Sequence, residues 1–125
     1  MAMLASSPVI AFVATTDMAR SRHFYGAILG LRLIEENAYA AAFDAGGTQL
    51  RVTAVETVLP QPYTVLGWSV DDMATTVRGL ASSGVRLLRY PGMEQDELGV
   101  WLSPSGARVA WFEDPDRNVL SLTQF

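Results

Sequence analysis

The chain has 125 residues, of which 50% are hydrophobic and 18% charged, and its formal net charge is −4. This length suits one domain with a proper core and is too short for two ordinary ones. The acidic balance is opposite to the basic surface that nucleic acids select, so we expect no nucleic-acid partner. No apolar run approaches the roughly 20 residues of a membrane span, and the start of the chain lacks the basic residues of a signal peptide. We therefore expect a cytoplasmic protein with no membrane partner.

The residue types present in the chain exclude several kinds of catalysis and metal binding. All nine basic residues are arginines, and the chain has neither lysine nor cysteine. Schiff-base and thiolate catalysis are therefore excluded. The single histidine, His23, cannot form the His/Cys cluster of a typical zinc site or the histidine pair of a non-haem iron site.

The first half of the chain predicts a strand, a helix and three further strands. An apolar run at 9–14 leads to Thr16 or Asp17 as helix N-cap, and Gly30 ends the helical pattern. Short strand-like runs separated by turn residues follow at 32–35, 39–44 and 49–55.

The second half repeats this pattern at an offset of 54 to 55 residues. A strand at 65–70 leads to Asp71 or Asp72 as N-cap, and Gly84 ends the second helix. Strands are expected at 86–89, 100–102 and 108–112, with a last strand at 119–123 that could be counted separately. A βαβββ unit therefore occurs twice.

The two modules are expected at about 8–57 and 63–125, with a linker near 58–62 that contains Pro60 and Pro62. A module of about 60 residues with one helix buries too little surface to stand alone. We expect the two modules to pack together as a single α+β domain spanning 1–125.

Two local sequence motifs resemble those of a known family. Asp17, followed by Phe24-Tyr25 and the Leu29-Gly30-Leu31 ending, resembles the first helix of the vicinal oxygen chelate superfamily. This superfamily includes glyoxalase I, extradiol dioxygenases, and bleomycin and fosfomycin resistance proteins. Residues 114–120 resemble the family's turn into its last strand, with Arg117 where glycine is usual. The resemblance covers 8–125 and implies two βαβββ modules that form a curved mixed sheet around a cavity.

Arg117 marks a departure from the family pattern at a position that favours φ > 0. A residue other than glycine costs about 1 kcal/mol there. We expect this cost to affect stability and not the fold.

The resemblance also implies where metal ligands would lie. In metal-dependent members they occupy four strand positions, which fall here on Ile10, Arg51, Val65 and Ser121. A divalent cation needs anionic or strong neutral donors, and these four residues are no credible replacement set. We therefore expect neither a metal nor a cofactor.

Strand alternation gives the strongest positive indication of a ligand site. In 49–53, Leu50 and Val52 suit a helix-covered face, which leaves Gln49, Arg51 and Thr53 on the concave side. The planar fork of an arginine suits a carboxylate, phosphate or enolate. The alternative is that Arg51 only forms an ion pair with Glu56, Glu113 or another acid.

The same alternation predicts a mixed apolar and polar cavity wall, for which the alternative is a filled core. Trp68 has the opposite parity and should pack beneath a helix. Trp101 and Trp111 could form an aromatic wall for a planar ligand or belong to an ordinary core. In addition to the residues at 49–53, the side chains predicted to line the cavity are Ile10, Phe12, Val65, Gly67, Ser69, Ser121 and Thr123.

Two further features receive structural interpretations. His23 precedes the Phe24-Tyr25 pair, so it should point partly to solvent. The acidic run at 94–97 is typical of a solvated loop, although one carboxylate there could serve in proton transfer. The sequence identifies no catalytic residue.

The function predicted from these observations is metal-independent binding of a small anionic or aromatic molecule by a homodimer. The alternative is a lyase, isomerase or dioxygenase of glyoxalase type, with unorthodox metal ligands or metal-free chemistry. The sequence does not decide between enzyme and binding protein.

Overall fold

Each half of the chain folds into a four-stranded mixed sheet. The structure is a computed structural model that describes residues 3–125. It divides into two compact units, Met1–Val58 and Leu59–Phe125. The α+β class predicted from the sequence is confirmed.

The first unit contains four strands and one helical segment. Its elements are β1 (Ile10–Thr15), α1 (Met18–Arg22), a π-helix (His23–Ile28), β2 (Arg32–Glu36), β3 (Ala40–Ala45) and β4 (Thr48–Ala54). The strands pair in the order β1-β4-β3-β2, with β1 parallel to β4 and the other pairs antiparallel.

The second unit repeats this connectivity. Its elements are β5 (Thr64–Ser69), α2 (Met73–Ser82), β6 (Trp101–Leu102), β7 (Arg108–Glu113) and β8 (Val119–Gln124). Its strands pair in the order β5-β8-β7-β6, and β5 is parallel to β8.

The helix boundaries follow the signals in the sequence. The Asp17 carboxylate accepts a hydrogen bond from the Arg20 backbone N–H, and that of Asp72 accepts one from Thr75 N–H, both at 3.1 Å. Asp17 and Asp72 are therefore the two N-caps. Gly30 follows the first helical segment with φ 78°, in the left-handed region that glycine adopts without a steric penalty.

The first helical segment differs from the single regular helix that the sequence predicts. After α1 the chain continues as a π-helix, in which Leu29 N–H donates to Phe24 C=O at 2.9 Å. The π-turn holds one more residue than an α-turn. Both Phe24 and Tyr25 are buried, although they are adjacent in sequence.

The expected strand at 86–89 is wrong. Only one isolated bridge, Leu87 to Phe112, joins this segment to β7. The Gln95 side chain accepts a hydrogen bond from Tyr90 N–H and donates to Leu88 C=O and Gly99 C=O, so the Leu88 carbonyl that a longer strand would pair with β7 is satisfied by a side chain instead. The chain then returns at β6, which pairs with the first residues of β7.

The core of each unit lies between its sheet and its helical segment. Leu50, Val52 and Phe43 have no exposed surface, and the Phe43 ring lies 6.2 Å from that of Tyr25. In the second unit, the Trp68 ring stacks on that of the fully buried Phe112 at 6.2 Å. The prediction that Trp68 packs on the helix side is confirmed.

Arg117 has φ 67° and is the only non-glycine residue with positive φ in the described chain. The predicted departure from ordinary backbone is therefore confirmed.

We expect Arg117→Val to lower the free energy of unfolding by about 1 to 2 kcal/mol relative to Arg117→Gly, because glycine adopts this conformation without strain and a β-branched residue does not. Urea denaturation of the two variants measures the difference.

Arg86 provides a matched control. It is similarly exposed, pairs with the same Glu113 carboxylate and has no positive φ. At this position valine should be at least as stable as glycine. The same order of stability at Arg86 and Arg117 would show that backbone strain does not set the cost.

Candidate functional site

The sheet face opposite the helical segment carries the predicted polar side chains of the first unit. Gln49, Arg51 and Thr53 are partly exposed, and they alternate along β4 with the buried Leu50 and Val52. We call this the helix-free face. The register along β1 places Ile10, Phe12 and Ala14 beside the three polar residues.

Arg51 is held at this face by two polar contacts. Its Nη1 donates to Gln49 Oε1 at 3.2 Å and lies 4.0 Å from Glu35 Oε1. The acid beside Arg51 is therefore Glu35 and not Glu56. Glu35 is 67% exposed, so this long ion pair contributes little free energy.

The Arg51 guanidinium keeps donors for another partner. Both contacts use Nη1, and this side chain has no other hydrogen bond or ion pair with residues 3–125. An arginine has five N–H donors in a planar fork, so Nε and Nη2 remain available to a carboxylate or phosphate. The side chain is only 28% exposed, which limits competition from water.

An apolar surface lies directly beside this guanidinium. Phe12 is the register neighbour of Arg51 on β1, and its side chain is 59% exposed. Ile10, two residues earlier on the same face, is also exposed. A cation next to exposed apolar side chains suits a molecule with both an anionic group and an apolar part.

The helix-free face of the second unit carries small polar residues. The register places Gly67 beside Ser121, and Ser69 beside Thr123. A Cβ at Gly67 would lie 2.6 Å from Ser121 Oγ and 3.3 Å from the Ser121 carbonyl oxygen, so a side chain here would force Ser121 to move. Val65 is exposed at the start of the same strand.

The structure decides the orientation of the two tryptophans, which the sequence left open. Trp111 is the register neighbour of Ser121, so its indole lies on the helix-free face. Trp101 pairs with Val109 on that face, and the two indoles lie 6.2 Å apart at 37°. Tyr90, which sequence reasoning missed, contacts Trp111 edge to face at 5.3 Å.

One carboxylate, that of Glu113, lies near the Tyr90 edge of this aromatic cluster. Burial raises the pKa of Tyr90 above its ordinary 10.0, and the nearby Glu113 carboxylate raises it further. Glu113 is only 12% exposed and lies 3.5 Å from Arg86 Nη1 and 4.0 Å from Arg117 Nε. Tyr90 therefore remains a neutral phenol at physiological pH.

The four positions at which the resemblance implies metal ligands carry side chains that do not fit a metal ion. Ile10 and Arg51 occupy them in the first unit, and Val65 and Ser121 in the second. An aliphatic group, a cation and a single hydroxyl are poor donors for a divalent cation. Nowhere in residues 3–125 do three His, Asp or Glu side chains come together in a way that could hold a metal.

Two pockets of the second unit lie on its helix side and contain none of the predicted ligand-binding residues, although Asp96 and Glu97 of the acidic run contribute to their walls. One, of about 290 Å³, includes Val77, Leu87 and Leu98. The other, of about 360 Å³, lies at the start of α2. Its Asp72 carboxylate caps that helix, and two hydrogen bonds from Thr75 lower the pKa of Asp72.

The remaining candidates lie outside these faces. His23 is exposed, as the sequence predicts. In the acidic run 94–97, Glu94, Asp96 and Glu97 are exposed, whereas Gln95 forms the structural hydrogen bonds described above. Among the described helices, none is long and apolar enough to cross a membrane.

Comparison with known proteins identifies the family. A family model described as the glyoxalase/bleomycin resistance protein/dioxygenase superfamily matches residues 8–122. The chain belongs to this superfamily. The family predicted from the helix and turn motifs is therefore confirmed.

Solved structures of superfamily proteins share the fold at low sequence identity. A Bacillus anthracis protein assigned to the glyoxalase family is 14% identical, with a TM-score of 0.77 over 99% of this chain and 98% of its own. The fosfomycin resistance protein FosX from Listeria monocytogenes is 13% identical, with a TM-score of 0.76 over 98% and 95%. Lactoylglutathione lyase from Agrobacterium tumefaciens is 14% identical, with a TM-score of 0.71 over 96% and 95%. At these identities the likeness shows the fold alone.

The pKa of Tyr90 gives a direct test of the geometry around the aromatic cluster. We expect the phenol to titrate above 10.0, and Glu113→Gln to lower its pKa without bringing it below 10.0, because burial is the larger cause. The wild type and each glutamine variant are titrated with and without the additional change Tyr90→Phe. The difference in tyrosinate absorbance within each pair isolates the titration of Tyr90. Glu94→Gln, a charge removal at an exposed position of the same loop, is the control and should leave the titration unchanged. A pKa at or below 10.0 would contradict the placement of Tyr90.

Proposed function

We propose that this superfamily member binds a small anionic or aromatic molecule through its own side chains, without a metal ion. The observation that carries the proposal is the partly buried Arg51, whose Nε and Nη2 have no partner in the described chain. The guanidinium would bind a carboxylate, phosphate or enolate of the ligand in a bidentate contact.

The residues around Arg51 support this role. Gln49 holds Nη1 through a hydrogen bond, so less conformational freedom is lost when a ligand binds. Phe12 would contact the apolar part of the ligand, and the Thr53 hydroxyl lies two residues along the same face. The expected contribution of the guanidinium contact is about 1.5 to 3 kcal/mol.

The proposal includes an aromatic ligand, which would bind at the second unit. Trp101 and Trp111 present indoles on the helix-free face of the second unit. Ser69 and Ser121 would supply hydrogen-bonding hydroxyls on the same face. A few polar groups in an apolar surrounding are typical of small-molecule sites.

Binding is preferred over catalysis because of the residues at the four ligand positions. A glyoxalase-type lyase, isomerase or dioxygenase would need unorthodox ligands, since Ile10, Arg51, Val65 and Ser121 do not fit a metal ion. The neighbours include both a resistance protein and a lyase. The formation of a homodimer, the cytoplasmic location and the single-domain organisation stay predictions.

Arg51→Met tests the proposal because it keeps much of the side-chain length and removes the fork. Thermal-shift screening of benzoate, phenylphosphonate and inorganic phosphate first selects an anionic probe. Calorimetric titration should then show a roughly ten- to hundredfold loss of affinity in the variant. The fold should survive, because Arg51 is not part of the core between sheet and helix.

Arg32→Met is the matched control. Arg32 belongs to the same sheet, but it is 71% exposed and pairs with Asp44 at 3.5 Å. Its substitution should leave the affinity within about twofold, as expected for an exposed ion pair. Equal affinities of the Arg51→Met variant and the wild type, with both folded, would contradict the proposal.

A further inference from the structure

The aromatic cluster of the second unit is organised around one residue. Trp111 lies in the middle of β7, and its indole contacts both Trp101 and the ring of Tyr90. Tyr90 meets it at 89° and Trp101 at 37°, so neither contact is a parallel stack. Trp101 and Trp111 both keep part of their surface exposed.

The side chains next to Trp111 become smaller across the sheet. Its register neighbour on β8 is Ser121, and the neighbour of Ser121 on β5 is Gly67. Ser121 Oγ has no hydrogen-bond partner in the described chain, and it occupies the place where a Gly67 side chain would start. On this side of the sheet the Trp111 indole therefore has small neighbours, Ser121 and Gly67, and no bulky side chain.

We propose that Trp111, framed by Trp101 and Tyr90, is the stacking surface for an uncharged planar aromatic ring. This inference rests on the proposed function in its aromatic form and names the chemical class of the ring that the second unit would bind. Tyr90 is a positioning residue, because its edge contact fixes the Trp111 indole. Aromatic rings prefer offset or edge contacts, and such pairs gain affinity beyond the area that they bury.

The charges around the cluster favour an uncharged ring over an organic cation. An aromatic cluster beside a carboxylate is a common arrangement for binding quaternary ammonium groups. Here the Glu113 carboxylate already lies between Arg86 and Arg117. Because these two guanidinium groups balance its charge, the carboxylate offers a cationic ligand little attraction.

Two probes that differ only in aromaticity test the inference. 2-Naphthol is flat and aromatic, whereas decahydro-2-naphthol has the same heavy atoms and no π-system. We expect calorimetry to give a preference of about fivefold for 2-naphthol in the wild type, as aromatic pairs contribute. In Trp111→Leu the preference should vanish, and in Tyr90→Leu it should fall while Tyr90→Phe retains it.

Two more variants separate the ring site from general effects on folding. Trp68→Phe is the matched control, because Trp68 lies on the helix side of the same sheet and should not affect the preference. Ser121→Val adds bulk beside Trp111 without changing an aromatic residue, and it should weaken 2-naphthol binding several-fold with the fold intact. Circular dichroism of each variant verifies the fold.

The possible outcomes distinguish this inference from the proposed function. Equal affinity for the two naphthols, or tighter binding of phenyltrimethylammonium than of 2-naphthol, would overturn the inference. If anionic probes still depended on Arg51, the proposed function would stand. A preference for 2-naphthol that is lost in Trp111→Leu supports the inference, whatever the effect of Arg51→Met on anions.

Discussion

The alternation of side chains along β4 is the constraint on which the site of the first unit depends. Leu50 and Val52 are completely buried against the helical segment, and this burial fixes the register of the strand. A slip by one residue would place Arg51 under the helix and the two aliphatic side chains on the open face. Burying an unpaired guanidinium is costly, so the hydrophobic core and the polar open face are specified together.

The same alternation of buried and open-face side chains occurs in the second unit, along β8. Leu120 and Leu122 are buried along β8, and Ser121 between them faces the helix-free side beside Trp111. Arg51 and Ser121 hold corresponding places, on strands that are parallel neighbours of the first strand of each unit. The duplicated backbone is therefore similar, while the chemistry of each face depends on a few residues.

The sequence was most informative where local chemistry determines structure. The sequence narrowed each N-cap to two neighbouring residues, and the structure selects Asp17 and Asp72, whose carboxylates accept hydrogen bonds from backbone N–H groups three residues away. The orientation of Trp101 was not predictable, since β6 has only two residues and shows no alternation. The contact of Tyr90 with Trp111 depends on the irregular segment that Gln95 organises, and no periodic pattern marks such a segment. The ligand-binding roles of Arg51 and the other site residues stay predictions.

The central claim is that side chains of this protein, and not a metal ion, contact the ligand. Elemental analysis of the purified protein, combined with titration of the anionic probe before and after chelation, tests it most directly. We predict no stoichiometric zinc, iron, manganese or nickel, and the same affinity in both titrations, because the four ligand positions offer no suitable donors. A stoichiometric metal whose removal abolishes binding of the probe would contradict the account.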